Sequence, residues 1–303
     1  MPDDGPCRSR KKRQGDFVLK ILLTGAQGFT GRHFARAAAA AGHEVAPLNA
    51  NLLDVRALEM EVSNLQPEAV VHLAGISFVG HAYDRAFYDV NLFGTLNLLD
   101  ALCRQDQSLN CVLLASSANI YGNCDASPIA ESQPPSPVNH YAMSKLAMEY
   151  MARTRLPQLP IVVTRPFNYT GPGQGDSFLI PKLVNHFAQR ATTIDLGNLD
   201  VEREFNDVRT LCDAYLRLLQ RGVPGETYNV CSGIPYTLLH ILDALKRLTG
   251  HRMDTRVNPA FVRPNEVHRL CGNPQKLVST IGELALRDLD DTLSWMLADA
   301  SKS

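Results

Sequence analysis

The chain has 303 residues, of which 45% are hydrophobic and 20% charged, and its formal net charge is -1. This composition is typical of a globular protein with a sizeable core, and the length suits two domains or one domain with an added lobe. The near-neutral charge argues against a broad nucleic-acid or membrane-binding surface. No apolar run is long enough to span a membrane.

Seven cysteines are scattered without a CxxC pair or metal-ligand spacing, so we expect reduced thiols, no metal site and a cytoplasmic location. Residues 1–16 are polar and contain a basic run at 8–13. The long apolar stretch of a secretory signal does not follow that run. We interpret residues 1–16 as a disordered tail, and a targeting or polyanion-binding arm is the alternative.

Strand and helix signals alternate through the first half of the chain. Short apolar runs, typical of buried strands, occur at residues 18–24, 44–48, 69–73, 111–115 and 160–164. Helical patterns lie between them, at residues 28–42, 54–65 (with Asp54 as N-cap), 84–103 and 140–153. The alternation predicts an α/β fold with a doubly wound parallel sheet of the Rossmann type, covered by helices on both faces.

After residue 168 this pattern loosens, and proline, glycine and aromatic residues become frequent. We therefore place a dinucleotide-binding domain at residues 17–168, with later segments crossing back to it. Residues 169–303 are expected to form mainly a smaller C-terminal α/β lobe that binds substrate. Ligands commonly bind in the cleft between two such units.

The first predicted strand runs into TGAQGFTG, where Gly25, Gly28 and Gly31 stand at intervals of three before a helix. Glycines at these positions make a tight turn, let the backbone approach a pyrophosphate and aim the helix N-terminus at its charge. Glycines alone are weak evidence, because an ordinary strand-to-helix turn also uses glycine. The strand before the glycines and the helix after them favour a dinucleotide-binding loop.

Dinucleotide-binding folds place an acidic residue at the end of the second strand, where it binds the adenosine ribose. The matching residues here are Pro47, Leu48 and Asn49, and none is a carboxylate. Arg32, just past the glycine loop, is a candidate for binding a 2′-phosphate, and an ordinary exposed helix residue is the alternative. The sequence therefore favours NADP(H), with NAD(H) as the second choice.

Tyr141 and Lys145 stand four residues apart on a predicted helix, so both face the same way. A lysine ammonium beside a phenol is expected to lower the tyrosine pKa toward a range useful for proton transfer. The YxxxK pattern also arises by chance in amphipathic helices. Ser117, however, follows the strand at 111–115 and lies over the cofactor crevice in such a fold. Ser117, Tyr141 and Lys145 are therefore the predicted catalytic residues.

With these residues in place, the chain resembles the extended short-chain dehydrogenase/reductase family over residues 18–299. The stretches that carry the resemblance are TGAQGFTG, HLAG (72–75), DVNLFGTLNLLDA (89–101), SSANIYG (116–122), YAMSK (141–145), RPFNYTGPGQ (165–174) and FVRPNEV (261–267). Members of this family act on nucleotide-diphosphate sugars as epimerases, 4,6-dehydratases or 4-keto reductases. Relatives commonly dimerise through the two helices that match 84–103 and 140–153, so the resemblance implies a homodimer.

The resemblance also assigns roles to residues of this chain. The implied cofactor contacts are Gly25, Gly28, Phe29 and Gly31 at the pyrophosphate, Asn51 and Leu52 at adenine, Leu73, Ala74 and Gly75 at the adenosine side, Lys145 at the nicotinamide ribose, and Pro166 and Phe167 beside the nicotinamide. Tyr141 is also an implied cofactor contact. The implied substrate contacts are Ser117, Asn168, Lys182, Arg203, Arg263 and Glu266, of which the last four match the GDP-mannose branch of the family.

Asn119 occupies the position that a glutamate has in the resembling dehydratases. An amide cannot exchange a proton, which speaks against dehydration. The resemblance then implies reduction of the 4-keto group of GDP-4-dehydro-6-deoxy-D-mannose to GDP-D-rhamnose. An NAD-dependent nucleotide-sugar 4-epimerase is the alternative, because the triad alone does not separate the two; a 4,6-dehydratase and a non-catalytic cofactor-binding protein are less favoured.

Overall fold

The computed structural model describes residues 18–80, 82–105, 108–262 and 267–301. The predicted tail at 1–16 and two predicted substrate contacts, Arg263 and Glu266, lie outside the described residues. Among the described helices, none is both long enough and apolar enough to cross a membrane.

The strands in the described ranges are β1 (Lys20–Thr24), β2 (Glu44–Pro47), β3 (Ala69–His72), β4 (Cys111–Ala115), β5 (Ile161–Pro166), β6 (Tyr169–Thr170), β7 (Thr193–Leu196), β8 (Glu202–Arg203), β9 (Asn206–Asp207), β10 (Thr227–Val230), β11 (Tyr236–Thr237), β12 (Asp254–Val257) and β13 (Arg269–Leu270). The α-helices there are α1 (Phe29–Ala40), α2 (Val55–Leu65), α3 (Asp84–Phe87), α4 (Thr95–Cys103), α5 (His140–Ala152), α6 (Leu179–Ala188), α7 (Val208–Arg221), α8 (Leu238–Thr249), α9 (Gln275–Ile281) and α10 (Leu289–Ala300).

Six parallel strands form the main sheet, in the order β10-β5-β4-β3-β1-β2. Side chains alternate between its faces. Leu23 packs with α1 and α7 in one apolar core, whereas Leu22 packs with α2, α4 and α5 in another. Both faces are therefore covered by helices, which confirms the predicted doubly wound sheet and places the carboxyl ends of β1, β3 and β4 side by side.

The structure tests two of the helix predictions, the N-cap at Asp54 and the long helix over residues 84–103. Asp54 caps α2, because its carboxylate accepts a hydrogen bond from the backbone N–H of Ala57 at 3.0 Å. The helix predicted over 84–103 is helical throughout, but its middle section, Tyr88–Gly94, is a π-helix between α3 and α4. The wider π-helical turn holds Asn91 fully buried against the sheet.

The later part of the chain builds smaller sheets and a separate apolar core. Strand β7 pairs with β12, and β8 lies between β11 and β13, while α6, α8 and α10 share the core beside them. The chain also returns to the main sheet, because β10 pairs in parallel with β5 and α7 packs in the core with α1. A division of the chain at residue 168 stays a prediction.

Candidate active site

The glycine loop, residues 25–31, joins β1 to α1 at the carboxyl edge of the main sheet. Gly25 has φ +67°, and a Cβ placed on it would lie 2.8 Å from the backbone nitrogen of Ala74. A Cβ on Gly31 would lie 2.1 Å from the carbonyl oxygen of Gly25. Glycine is therefore required at both positions, and the turn is closed by a 2.9 Å hydrogen bond from Gly28 N to Gly25 O. The bare backbone suits a pyrophosphate at the start of α1.

A buried histidine ties this loop to the next strand. His72 Nδ1 lies 2.7 Å from Thr24 Oγ1, which accepts hydrogen bonds from the N–H groups of Leu73 and Ala74. His72 Nε2 lies 2.8 Å from Thr95 Oγ1, whose proton goes to a backbone carbonyl. Burial, followed by the charge of Lys145, lowers the pKa of His72 to about 3. His72 is therefore neutral, with its proton on Nε2, and it supports the predicted adenosine-side turn.

Asn91 links the next part of that turn to α5, and the sequence interpretation did not identify it. Its side chain accepts from Ile76 N at 2.8 Å and donates to Ile76 O at 3.1 Å. It also donates to Ser144 Oγ on α5 at 3.1 Å. A Cβ on Gly75 would lie 2.8 Å from Asn91 Oδ1 and 3.4 Å from Lys145 Nζ. The stretch DVNLFGT was the available signal, because it carries an asparagine inside an otherwise apolar helix face.

Ser117 and Tyr141 meet at the carboxyl end of β4. Ser117 Oγ accepts hydrogen bonds from the backbone N–H of Asn119 at 3.1 Å and from its amide at 3.2 Å. Burial raises the pKa of Tyr141, and a hydrogen bond with Ser117 acts to lower it. The predicted serine–tyrosine pair is thus in contact, and the side-chain amide of Asn119 lies beside it.

Lys145 lies under this pair and donates a 2.8 Å hydrogen bond to the carbonyl oxygen of Ala115. Burial lowers the pKa of Lys145 to about 8, and the negative charge of Glu149 works in the opposite direction. The expectation of a lowered Tyr141 pKa is wrong, because burial disfavours the phenolate more than the hydrogen bond with Ser117 stabilises it. Tyr141 therefore carries its proton and is equipped to act as an acid.

The residues at this edge fit a nicotinamide dinucleotide. Ser116, next to the catalytic serine, is only 4% exposed, and within the described residues its Oγ is the buried side-chain polar atom left without a hydrogen-bond partner. Buried hydroxyls are normally hydrogen-bonded. A bound ligand with a polar atom at this strand end would supply the missing partner.

The first turn of α1 contacts a loop that follows β6. Arg32 is exposed and donates to Gln27 O at 2.7 Å and to Gly173 O at 3.0 Å. The ring of Phe29 stacks on Tyr169 with centroids 6.1 Å apart. Arg32 therefore bridges the glycine loop and the loop after β6 through its terminal nitrogens, and its role at a 2′-phosphate stays a prediction.

A carboxylate does stand at the end of β2, contrary to the interpretation of the sequence. Glu61 of α2 accepts hydrogen bonds from Asn49 N at 2.9 Å and from Ala50 N at 2.6 Å. Because it comes from the following helix, it was not visible among the residues of the strand end. Further along, Asn51 Oδ1 accepts from Leu53 N at 3.0 Å, and Leu52 is buried beneath the turn.

Pro166, Phe167 and Asn168 continue from the end of β5. Phe167 N donates to a carbonyl at the end of β10 at 3.0 Å, and a Cβ on Gly272 would lie 2.5 Å from the Phe167 ring. Asn168 O accepts from Asn206 N at 2.9 Å. These contacts hold the predicted nicotinamide-side residues at the same edge of the sheet as the catalytic pair.

The predicted substrate cations lie on separate elements. Lys182 on α6 donates to Asp195 O at 2.6 Å, and its ammonium lies 4.6 Å from the ring centre of Phe261. Arg203 lies in the short strand β8. Their predicted partners Arg263 and Glu266 are among the residues not described.

Glu204, beside Arg203, is a second residue that the sequence interpretation missed. It is fully buried and accepts hydrogen bonds from Ser232 N at 2.7 Å and Gly272 N at 2.6 Å. Because Gly272 packs on Phe167, this carboxylate fixes two loops against the predicted nicotinamide side.

Comparison with known proteins agrees with this geometry. The profile of the NAD dependent epimerase/dehydratase family matches residues 21–231. GDP-6-deoxy-D-talose 4-dehydrogenase of Aggregatibacter actinomycetemcomitans is 36% identical over 270 residues, which is 87% of this chain and 92% of that protein. GDP-6-deoxy-D-mannose reductase of Pseudomonas aeruginosa is 36% identical over 295 residues, 92% of this chain and 96% of that protein.

Among solved structures, RMD from Pseudomonas aeruginosa complexed with NADPH aligns with a TM-score of 0.85 and 33% identity, covering 94% of this chain and 98% of that one. The family match spans most of the chain, including the glycine loop and all three predicted catalytic residues. The resemblance read from the sequence is confirmed: the chain belongs to the NAD dependent epimerase/dehydratase family, the extended short-chain dehydrogenases/reductases.

Proposed function

We propose that this protein reduces the 4-keto group of GDP-4-dehydro-6-deoxy-D-mannose, giving GDP-D-rhamnose. The observation that carries the proposal is the hydrogen-bond contact between Tyr141 and Ser117, with the amide of Asn119 donating to Ser117 Oγ at 3.2 Å. This arrangement provides one acid and one hydrogen-bonding hydroxyl. The residue two positions after Ser117 is Asn119, whose amide cannot exchange the protons of a dehydration.

In this mechanism the chain binds and orients the ketone and supplies one proton. Ser117 hydrogen-bonds the C4 oxygen, and Tyr141 gives its phenolic proton to that oxygen as the alcohol forms. Lys145 stabilises the resulting phenolate by its positive charge. The reduced nicotinamide, when bound, supplies the hydride, and the residues suited to hold it are the glycine loop, the turn at 73–75, and Pro166 and Phe167.

Asn168, Lys182 and Arg203, together with Arg263 and Glu266, are the proposed contacts to the GDP portion. Cations suit a diphosphate, and a carboxylate suits a ribose diol. NADP(H) stays the favoured cofactor because Arg32 lies just past the glycine loop, and NAD(H) is the second choice. A cytoplasmic location is also proposed, since the six described cysteines are free thiols.

A homodimer is part of this proposal. The exposed side chains of the π-helix and of α5 include Phe93, 52% exposed, and Tyr150, 60% exposed, together with Met143 and Met151. The two helices lie side by side, with Tyr88 Oη 2.9 Å from His140 Nδ1. An apolar patch on adjacent helices suits association with the same face of a second copy.

The configuration at C4 has a second candidate. One relative is named for a 6-deoxy-D-talose derivative and the other for the D-mannose derivative, and these sugars differ at C4. A talose-configured product follows if the opposite face of the ketone meets the cofactor.

The deciding experiment follows the absorbance of NADPH and of NADH with purified protein and GDP-4-dehydro-6-deoxy-D-mannose, and then determines the C4 configuration of the product by NMR. Turnover supports the reductase and identifies the preferred cofactor. Absence of turnover with both cofactors overturns the proposal, and a panel of UDP- and GDP-sugars then tests the 4-epimerase.

A further inference from the structure

The turn that follows β2, residues 48–50, is held by a single carboxylate from α2. Glu61 Oε1 accepts from the backbone N–H of Asn49 at 2.9 Å and from its side-chain amide at 3.1 Å. Glu61 Oε2 accepts from Ala50 N at 2.6 Å. Three donors at the carboxyl end of β2 therefore converge on one negative charge that is half-buried.

This position matters because doubly wound sheets bind the adenosine ribose at the end of the second strand. A carboxylate there accepts hydrogen bonds from ribose hydroxyls and repels a 2′-phosphate. Glu61 also accepts from the N–H and amide donors of this turn, so these donors are not free to bind a phosphate. Both effects act against a 2′-phosphate and neither acts against a 2′-hydroxyl.

The nearby cation does not cancel this charge. Arg32 donates through its two terminal nitrogens to Gln27 O and Gly173 O, so it lies against the glycine loop and the loop after β6. The structure records no hydrogen bond or ion pair between Arg32 and Glu61 in the described residues.

We propose that Glu61 is a specificity-determining residue for the cofactor. Its carboxylate weakens the binding of NADP(H) relative to that of NAD(H). The inference rests on the proposed function only in requiring that the chain binds a nicotinamide dinucleotide. In this proposal Glu61 of α2 takes the role of the acidic residue that other dinucleotide-binding folds carry at the end of the second strand.

The test is the ratio of dissociation constants for NADH and NADPH, measured by fluorescence titration of the full-length protein without substrate. Glu61→Gln keeps an acceptor oxygen for the turn but removes the charge, and it is expected to shift the ratio toward NADPH about tenfold. Glu59→Gln is the matched control, since Glu59 lies on the same helix and pairs with Arg104 instead. It is expected to leave the ratio unchanged.

Each outcome separates the two proposals. An unchanged ratio in Glu61→Gln, or an equal loss of affinity for both cofactors, overturns the role of Glu61, because a merely structural residue does not discriminate between the two ligands. A wild-type protein that binds neither cofactor overturns the proposed function as well. Melting temperatures of both variants identify any general loss of stability.

Discussion

The ammonium group of Lys145 is hydrogen-bonded to the carbonyl oxygen of Ala115 at 2.8 Å, which links the catalytic helix to the end of β4. The same burial that creates this contact lowers the pKa of Lys145 to about 8. The lysine is therefore charged below that pH and increasingly neutral above it. Tyr141, whose pKa is raised by burial, remains protonated through this range.

The rate of ketone reduction is expected to fall as the pH rises through about 8, because a neutral Lys145 no longer stabilises the phenolate that Tyr141 becomes. The measurement is kcat/KM for the keto sugar across the pH range, at a saturating concentration of reduced cofactor. If kcat/KM stays constant well above this pH, the loss of the positive charge of Lys145 does not control the rate.

Replacing Tyr141 with phenylalanine removes the proton donor and leaves the ring. We expect kcat to fall by roughly 10²–10⁴-fold, the usual contribution of a positioned acid, with cofactor binding retained. Tyr150→Phe is the matched control, since Tyr150 lies on the same helix and is 60% exposed. Full reductase activity in Tyr141→Phe would show that the mechanism is wrong.

Gly31→Ala is expected to abolish cofactor binding and lower the melting temperature. The new Cβ would lie 2.1 Å from Gly25 O, so the glycine loop has to open. Fluorescence titration with NADPH and NADH provides the measurement. Gly175→Ala serves as control, because the nearest atom to its Cβ, Ser177 Oγ, is 3.9 Å away. Unchanged cofactor affinity in Gly31→Ala would exclude this loop as the pyrophosphate site.

Glu149 and Arg165 form a buried ion pair at 2.7 Å, with side chains 2% and 7% exposed. Glu149→Ala leaves the guanidinium buried without its carboxylate, and we expect a loss of about 3 kcal/mol in the free energy of unfolding. Asp213→Ala breaks a partly exposed pair with Arg217 and is expected to cost less than about 1 kcal/mol. Chemical denaturation compares the two, and equal losses would contradict the distinction.

Tyr150→Glu is expected to convert the proposed dimer into a monomer, because it places a charge in the apolar patch shared by α5 and the π-helix. Light scattering after size-exclusion chromatography gives the mass of each variant. Leu239→Glu adds a charge at a 67% exposed position outside this patch and is expected to remain dimeric. A wild-type monomer, or dimers in both variants, would exclude this face.

Much of this architecture could be predicted because its causes are local. Short apolar runs form the sheet, Asp54 caps its helix, and the helical spacing of Tyr141 and Lys145 holds after folding. The order of the strands then brings Ser117 to Tyr141, as the crossover rule for parallel sheets implies.

The remaining features depend on packing that the sequence does not display. Glu61 reaches the end of β2 from the next helix, so a search of the strand end alone misses it. Helical periodicity does not distinguish the π-helical turn around Asn91 from an α-helix. The raised pKa of Tyr141 results from burial in the folded site. The spacing of residues in the sequence does not reveal how deeply a side chain is buried.

Strand β10 has a consequence for how the protein is made. It joins the main sheet beside β5 only after α6 through α7 have been synthesised. Until then the nascent chain exposes β5 as an unpaired edge, and such edges are sites of intermolecular pairing. A fragment ending after β5 would keep that edge permanently and is expected to aggregate, so a fragment for heterologous expression has to extend beyond Val230.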